Sequence, residues 1–143
     1  MVSEHNLNVC LAQLNLLVGD ISGNTQQVLK ASEEALGQGS DVILFPELTL
    51  TGYPPEDLLL RPSLELRVTQ AIDSIIDAAL PIYITVGYPK QIEGKLYNVA
   101  GVFYKGQCLI EYAKQNLPNY QVFDEKRYFS SGALGGSNSG VFE

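Results

Sequence analysis

Glu47 follows directly on the apolar run DVILFP, residues 41–46. A short continuous apolar run reads as a buried strand. Pro46, which has no amide hydrogen, ends it and holds Phe45 extended. In open α/β sheets ligands bind beyond the carboxyl ends of strands. A carboxylate there, walled by Phe45, Pro46 and Leu48, would have a raised pKa if the site is dry, which suits a general base near neutral pH. From position alone a solvated loop glutamate is the stronger reading. Lys114 closes the strand-like stretch 107–113 and precedes Gln115-Asn116-Leu117-Pro118. A lysine at a strand end can hold an oxyanion or counter a buried glutamate; on its own it reads more simply as a surface lysine with its stem laid on apolar neighbours. Glu125, Lys126 and Arg127 lie in YQVFDEKRYF. Tyr120, Phe123, Tyr128 and Phe129 would pin that segment into a core or interface, while its charges read as a solvated face. Cys108 stands six residues before Lys114, so a regular strand puts both on one face. That raises a thiol nucleophile, but no histidine is near to activate it and it sits mid-strand. It reads as an inert core cysteine.

These residues need elements to hold them. Residues 7–15 (LNVCLAQLN) read as an opening strand with both faces apolar, as in a sheet covered on both sides. Gly19-Asp20 and Ser22-Gly23 mark a loop. Asn24, with Gln27 three residues on, predicts a helix start of the capping-box kind. Val28, Leu29, Ser32, Ala35 and Leu36 then repeat on one face, and Gly37 and Gly39 stop it. After 41–46 a loop runs to Pro62, which opens a second helix. Its buried face is Leu64, Val68, Ile72, Ile75, Ile76 and Ala79, and Pro81 ends it. Residues 82–88 (IYITVGY) form a strand rich in β-branched and aromatic residues, and Glu93-Gly94 turns. Residues 96–104 and 107–113 pair as a hairpin around Lys105-Gly106. The order β-α-β-α-β-β-β predicts an α/β layered fold. The glycine- and serine-rich stretch SGALGGSNSG after Ser130 fits neither GxGxxG nor GxxxxGK[ST], so it reads as a loop rather than a phosphate cradle. Val141-Phe142-Glu143 read as the start of another strand.

Composition narrows the function. The 143 residues suit one domain, and a chain of this size buries roughly 70% of its unfolded surface. Nine basic and 16 acidic residues give a net charge of −7. That balance argues against a nucleic-acid partner and against an anionic membrane surface. No apolar run approaches the roughly 20 residues of a membrane span, and Met1–Asn6 lacks the basic start and apolar core of a signal peptide. A cytoplasmic location is expected. Cys10 and Cys108 read as free buried thiols of a reducing compartment. A structural zinc site takes about four Cys or His ligands, and the chain has two cysteines and one histidine, so no metal site is expected.

LAQLNLLVGDISGN, VILFPELTLTGYPPEDLL and KQNLPNYQVFDEKRYF, in that order, resemble the amidase domain of glutamine-dependent NAD synthetases, a branch of the nitrilase superfamily. FPE and the lysine with its LP segment are marks of the superfamily; TGYPPEDLL and LPNYxVFDEKRYF are narrower and point to the synthetase branch. The resemblance covers residues 7 to about 143. It implies a nitrilase-like αββα sandwich, of which residues 1–143 are the N-terminal part. It also implies a Glu-Lys-Cys triad for hydrolysing the amide of glutamine. Glu47 matches the general base, Lys114 the lysine that stabilises the tetrahedral intermediate, and Glu125 a second glutamate supporting that lysine. Tyr120 matches a residue of the glutamine pocket, and Tyr53 and Phe123 match loop positions near it.

In that family the nucleophilic cysteine lies beyond Glu125, and this sequence has no cysteine after Cys108. The resemblance therefore implies a part of a longer enzyme, with no cofactor bound in this part. The absent synthetase domain would use ATP and magnesium and bind nicotinate adenine dinucleotide. The family's homo-oligomeric assembly is implied as well. Two alternatives stand beside this reading: another nitrilase-like amidase acting on a different small amide, weighed against by GYPPEDLL, and a non-catalytic module that keeps the fold for assembly. If the triad assignment holds, Glu47 and Lys114 end at the same edge of one sheet, roughly 3–4 Å apart. They then face one cavity with Tyr120 and Glu125 on its rim.

Overall fold

The computed structural model describes residues 4–118 and 125–132. Its elements are β1 (Val9–Leu11), α1 (Ile21–Gly37), β2 (Val42–Leu44), a 3-10 turn (Glu56–Leu60), α2 (Leu64–Ala78), β3 (Tyr83–Ile92), β4 (Lys95–Tyr104), β5 (Gln107–Ala113) and a second 3-10 turn (Glu125–Arg127). One five-stranded sheet has the spatial order β1-β2-β3-β4-β5. β1, β2 and β3 are parallel, and β4 and β5 are added as antiparallel hairpins. β5 therefore runs in the same direction as β2, and both strands deliver their carboxyl ends to one edge of the sheet.

The two helices are the crossovers of the parallel part. Parallel neighbours need such connections, and their fixed hand puts both helices on one face. Ile21, Val28 and Ala35 of α1, and Val68, Ala71 and Ile75 of α2, form a single core with Ile43, Ile84, Val86, Tyr88, Val99 and Phe103 from the sheet. On the opposite face Val9, Leu11 and Leu44 are exposed. The hairpin turns are built as the sequence suggests. Lys105 and Gly106 both have positive φ (47° and 80°), as do Glu93 and Gly94, the backbone that two-residue hairpin loops require.

Several boundaries differ from the sequence expectation. α1 begins at Ile21, capped by Asp20, whose carboxylate accepts from the Gly23 amide at 3.0 Å. Asn24 is inside the helix and fully buried. Its side chain accepts from the Leu17 amide and donates to the carbonyls of Leu17 and Leu50. α2 begins at Leu64, two residues after Pro62, and ends at Ala78 with Ala79 in the left-handed conformation; Pro81 lies just beyond, where it cannot continue the helix. β1 is shorter than 7–15 and β3 runs past 88 to Ile92. The stretch read as a loop after Gly132, and the strand start at Val141–Glu143, lie outside the described residues.

Asn24 ties the start of α1 to the loop after β2, so its removal leaves buried partners unpaired. Asn24→Ala is expected to cost about 1–3 kcal/mol. The loss would appear as a lower urea midpoint at unchanged slope. A midpoint equal to the parent's would show that the buried amide contributes nothing.

Candidate active site

Glu47 is positioned by a loop that is buried along most of its length. Leu48, Thr49, Leu50 and Thr51 are all fully buried. The Thr49 hydroxyl donates to the Pro46 carbonyl and the Thr51 hydroxyl to the Leu48 carbonyl, which satisfies polar groups that burial would otherwise penalise. Leu48 has φ 51°, a left-handed conformation that costs a branched residue energy and persists where the surroundings enforce it. The enforcing contact is β3. A Cβ on Gly87 would lie 2.5 Å from the Leu48 nitrogen and 3.1 Å from the Glu47 carbonyl carbon. Only a glycine lets Pro46–Leu48 cross the strand this closely. The Leu50 amide then donates to the Gly87 carbonyl at 3.2 Å and the Gly19 amide to the Thr51 carbonyl at 2.9 Å.

Lys114 follows β5, and its amide donates to the Asn98 carbonyl at 2.8 Å. Its ammonium lies between two carboxylates, 2.8 Å from Glu47 Oε1 and 3.1 Å from Glu125 Oε1. The same Glu47 oxygen accepts from Asn98 Nδ2. Glu125 reaches the site from the second 3-10 turn, which starts with its amide bonded to the Pro118 carbonyl. The turn is fastened by buried Phe129, by Tyr128 donating to Asp57 at 2.7 Å, and by the amides of Ser130 and Gly132 bonded to Leu96 and Lys114.

The electrostatics follow from burial. Glu125 is buried, and its Oε2 has no hydrogen-bond donor among the described residues. Burial pushes its pKa up, the Lys114 bond pulls it back, and the negative charge of Glu47 pushes it up again, leaving it raised. Burial works against the Lys114 ammonium, but its two carboxylate partners outweigh that and raise its pKa. Glu47 is not in the dry pocket that its apolar neighbours suggested: its side chain is 42% exposed.

Glu47 and Lys114 line a cavity of about 300 Å³ with Phe45, Gly87, Asn98 and Tyr112. Glu125 lines a second cavity of about 270 Å³ with Tyr53, Leu48 and Phe129, not the rim of the one that Glu47 and Lys114 line. Tyr53 is 44% exposed. Burial, then the charges of Glu125 and Glu47, raise its phenol pKa against the opposing pull of Lys114. Tyr120 and Phe123 lie outside the described residues. The reading of Glu125 as part of a solvated face is corrected, since only Lys126 and Arg127 of that trio are exposed.

Cys108 departs from the expectation twice. It is exposed rather than a core residue. It also does not share a face with Lys114. The register shifts between Val102 and Phe103, which pair with Ile110 and Cys108, so Leu109 is an extra residue. Such a bulge reverses side-chain parity along the strand. Burial of the thiol and the charge of Glu111 push its pKa up, the opposite of activation. Cys10 packs on the core of the sheet. The sequence reading passed over Asn98 and Gly87. Both carried a signal: a lone amide within the apolar strand LYNVAGVFY, and a glycine inside IYITVGY, where close backbone approach is the usual reason.

The carbon-nitrogen hydrolase family profile matches residues 8–143. A glutamine-dependent NAD(+) synthetase from Aquifex aeolicus is 47% identical over 128 residues, 88% of this chain and 22% of that protein. The structure of glutamine-dependent NAD+ synthetase from Acinetobacter baumannii superposes with TM-score 0.85 at 45% identity, covering 88% of this chain and 24% of that one. An amidase from Nesterenkonia sp. shares the fold at TM-score 0.79 and 23% identity, over 90% of this chain and 49% of its own. The chain thus spans under a quarter of the length of the synthetases it matches. With the profile match running from β1 through the second 3-10 turn, the chain belongs to the carbon-nitrogen hydrolase family.

Proposed function

We propose that residues 1–143 are the N-terminal part of a glutaminase domain that feeds ammonia to a glutamine-dependent NAD synthetase. The observation that carries this reading is the Lys114 ammonium held between Glu47 and Glu125 at 2.8 and 3.1 Å, at the edge where β2 and β5 end. In this reading a cysteine outside these residues supplies the nucleophile. Its thiol gives a proton to Glu47 as sulfur attacks the amide carbon of glutamine. Lys114 stabilises the oxyanion that forms. The tetrahedral intermediate collapses, ammonia leaves with the proton returned from Glu47, and water then hydrolyses the thioester to glutamate. Glu125 keeps Lys114 charged and in place. Tyr53, with Tyr120 and Phe123, borders the glutamine pocket.

ATP, magnesium and nicotinate adenine dinucleotide would serve the synthetase reaction in sequence outside these residues, in a homo-oligomeric cytoplasmic enzyme. Among the described residues no group of three His, Cys, Asp or Glu side chains is placed to hold a metal ion. No helix among them is long and apolar enough to cross a membrane.

Ammonia release from glutamine by the protein as its gene encodes it tests the reading. Glu47→Gln keeps the shape but removes the base, and should lower kcat by roughly 10²–10⁴-fold. Undiminished release in that variant, or hydrolysis of simple amides with none of glutamine, would overturn it.

Glu125 adds a pH-dependent expectation. Its folded-state pKa is raised, so ionising it disfavours the folded state, and this penalty grows as pH rises through that value. Glu125→Gln removes the buried charge. It should raise the denaturation midpoint near pH 7 while lowering activity, and the gain should fade below about pH 4.5, where the parent carboxyl is neutral in both states. A lower midpoint at pH 7 would show that the bond to Lys114 outweighs the cost of burial.

A further inference from the structure

Asn98 sits on β4 beside Val99, in a strand whose inner residues are buried and apolar. Its own side chain is buried, and amides are scarce in such positions because they must find a partner. Here the partner is a carboxylate: Nδ2 donates to Glu47 Oε1. The main chain of the same residue accepts the Lys114 amide at 2.8 Å. One residue therefore fixes the carboxylate of the base with its side chain and the backbone of the lysine with its carbonyl. The second donor to Glu47, Lys114 Nζ, goes to the same oxygen at 2.8 Å. Both donors thus converge on Oε1.

We propose that Asn98 is a positioning residue for the amidase reaction, fixing Glu47 so that Oε2 is the atom that receives and returns the proton. This rests on the glutaminase reading above. The terminal torsion of a glutamate is broad and nearly two-fold, so Lys114 alone would let either oxygen take the Oε1 place. Asn98, anchored in the sheet, defines which one does. Two donors on Oε1 occupy its lone pairs and leave Oε2 as the basic site.

The test compares parent, Asn98→Ala and the isosteric Asn98→Asp, which keeps the shape but replaces the donor with a second anion. Kinetics of ammonia release from glutamine are measured across pH, with the protein as its gene encodes it. Both variants should lose roughly 10- to 100-fold in kcat with KM within about threefold, the scale of a misplaced reacting group. Ser32→Ala, a buried polar change in α1 away from the site, controls for stability and should leave kcat within about threefold. A kcat within about threefold in both Asn98 variants, or a loss confined to KM, overturns the proposal.

A second readout does not need turnover. The side-chain amide of Asn98, assigned by NMR from its loss in Asn98→Ala or Asn98→Asp, should be protected from solvent exchange in the parent. It should lose that protection at least tenfold in Glu47→Ala. Unchanged protection overturns the proposal even if the parent proves inactive on glutamine; inactivity with lost protection overturns the glutaminase reading alone and leaves the Asn98–Glu47 clamp standing.

Discussion

Two carboxylates meet at one point of this fold, and they can do so because an ammonium stands between them. Glu47 and Glu125 arrive from segments nearly eighty residues apart in sequence, and Glu125 is buried. Without Lys114 the pair would repel, and the burial of Glu125 limits how far water can screen it. Even with Lys114 in place the Glu125 pKa stays raised, by burial first and by the charge of Glu47 second. The surrounding structure is arranged to hold this arrangement in place. The Lys114 amide is tied to the Asn98 carbonyl on β4, and the turn carrying Glu125 is fastened at Pro118, Leu96, Lys114 and Asp57.

The Glu47 side of the cluster is rigid for a different reason. Glu47 is exposed at its carboxylate, yet the four residues after it are fully buried. The chain turns left-handed at Leu48 and passes over β3 where Gly87 has no side chain. Asn24 and Gly19 hold the far end of the loop against the start of α1. A flexible carboxylate on a flexible loop would spend most of its time away from its partners. Here the ordering of the loop is achieved by the folding of the core itself, so little remains to be fixed at the site.

Some of this was legible in the sequence, for local reasons. Pro46 after an apolar run announces a strand end, so Glu47 could be placed beyond it, and Lys114 could be placed at the end of β5 because it closes the strand-like stretch 107–113. The two hairpin turns are encoded by Glu93-Gly94 and Lys105-Gly106, whose backbone needs are local. What failed depended on tertiary contacts. Asn24 has the chemistry of a cap, but the loop after β2 claims its side chain, and Asp20 caps the helix instead. Cys108 has the right spacing to share a face with Lys114, but a bulge at Leu109 reverses the parity. Glu125 reads as part of a solvated charge run because burial beside a lysine eleven residues away leaves no local pattern.

The two faces of the sheet divide the work between stability and chemistry. The helix-covered face carries the core, with Ile43, Ile84 and Val86 almost wholly excluded from water. The opposite face carries exposed Val9, Leu11 and Leu44, and Glu47 and Lys114 line a cavity with Phe45, Gly87 and Asn98. A charged cluster placed within the core would have to meet the full desolvation cost of three ionised groups. At the sheet edge two of the three stay partly hydrated, with Glu47 42% and Lys114 30% exposed. Only Glu125 bears deep burial, and burial is the first cause of its raised pKa. The division also sets what each substitution can reach. Changes under the helices act through stability, whereas changes at Glu47, Lys114 or Asn98 alter the hydrogen bonds of the cluster while the core residues beneath remain packed.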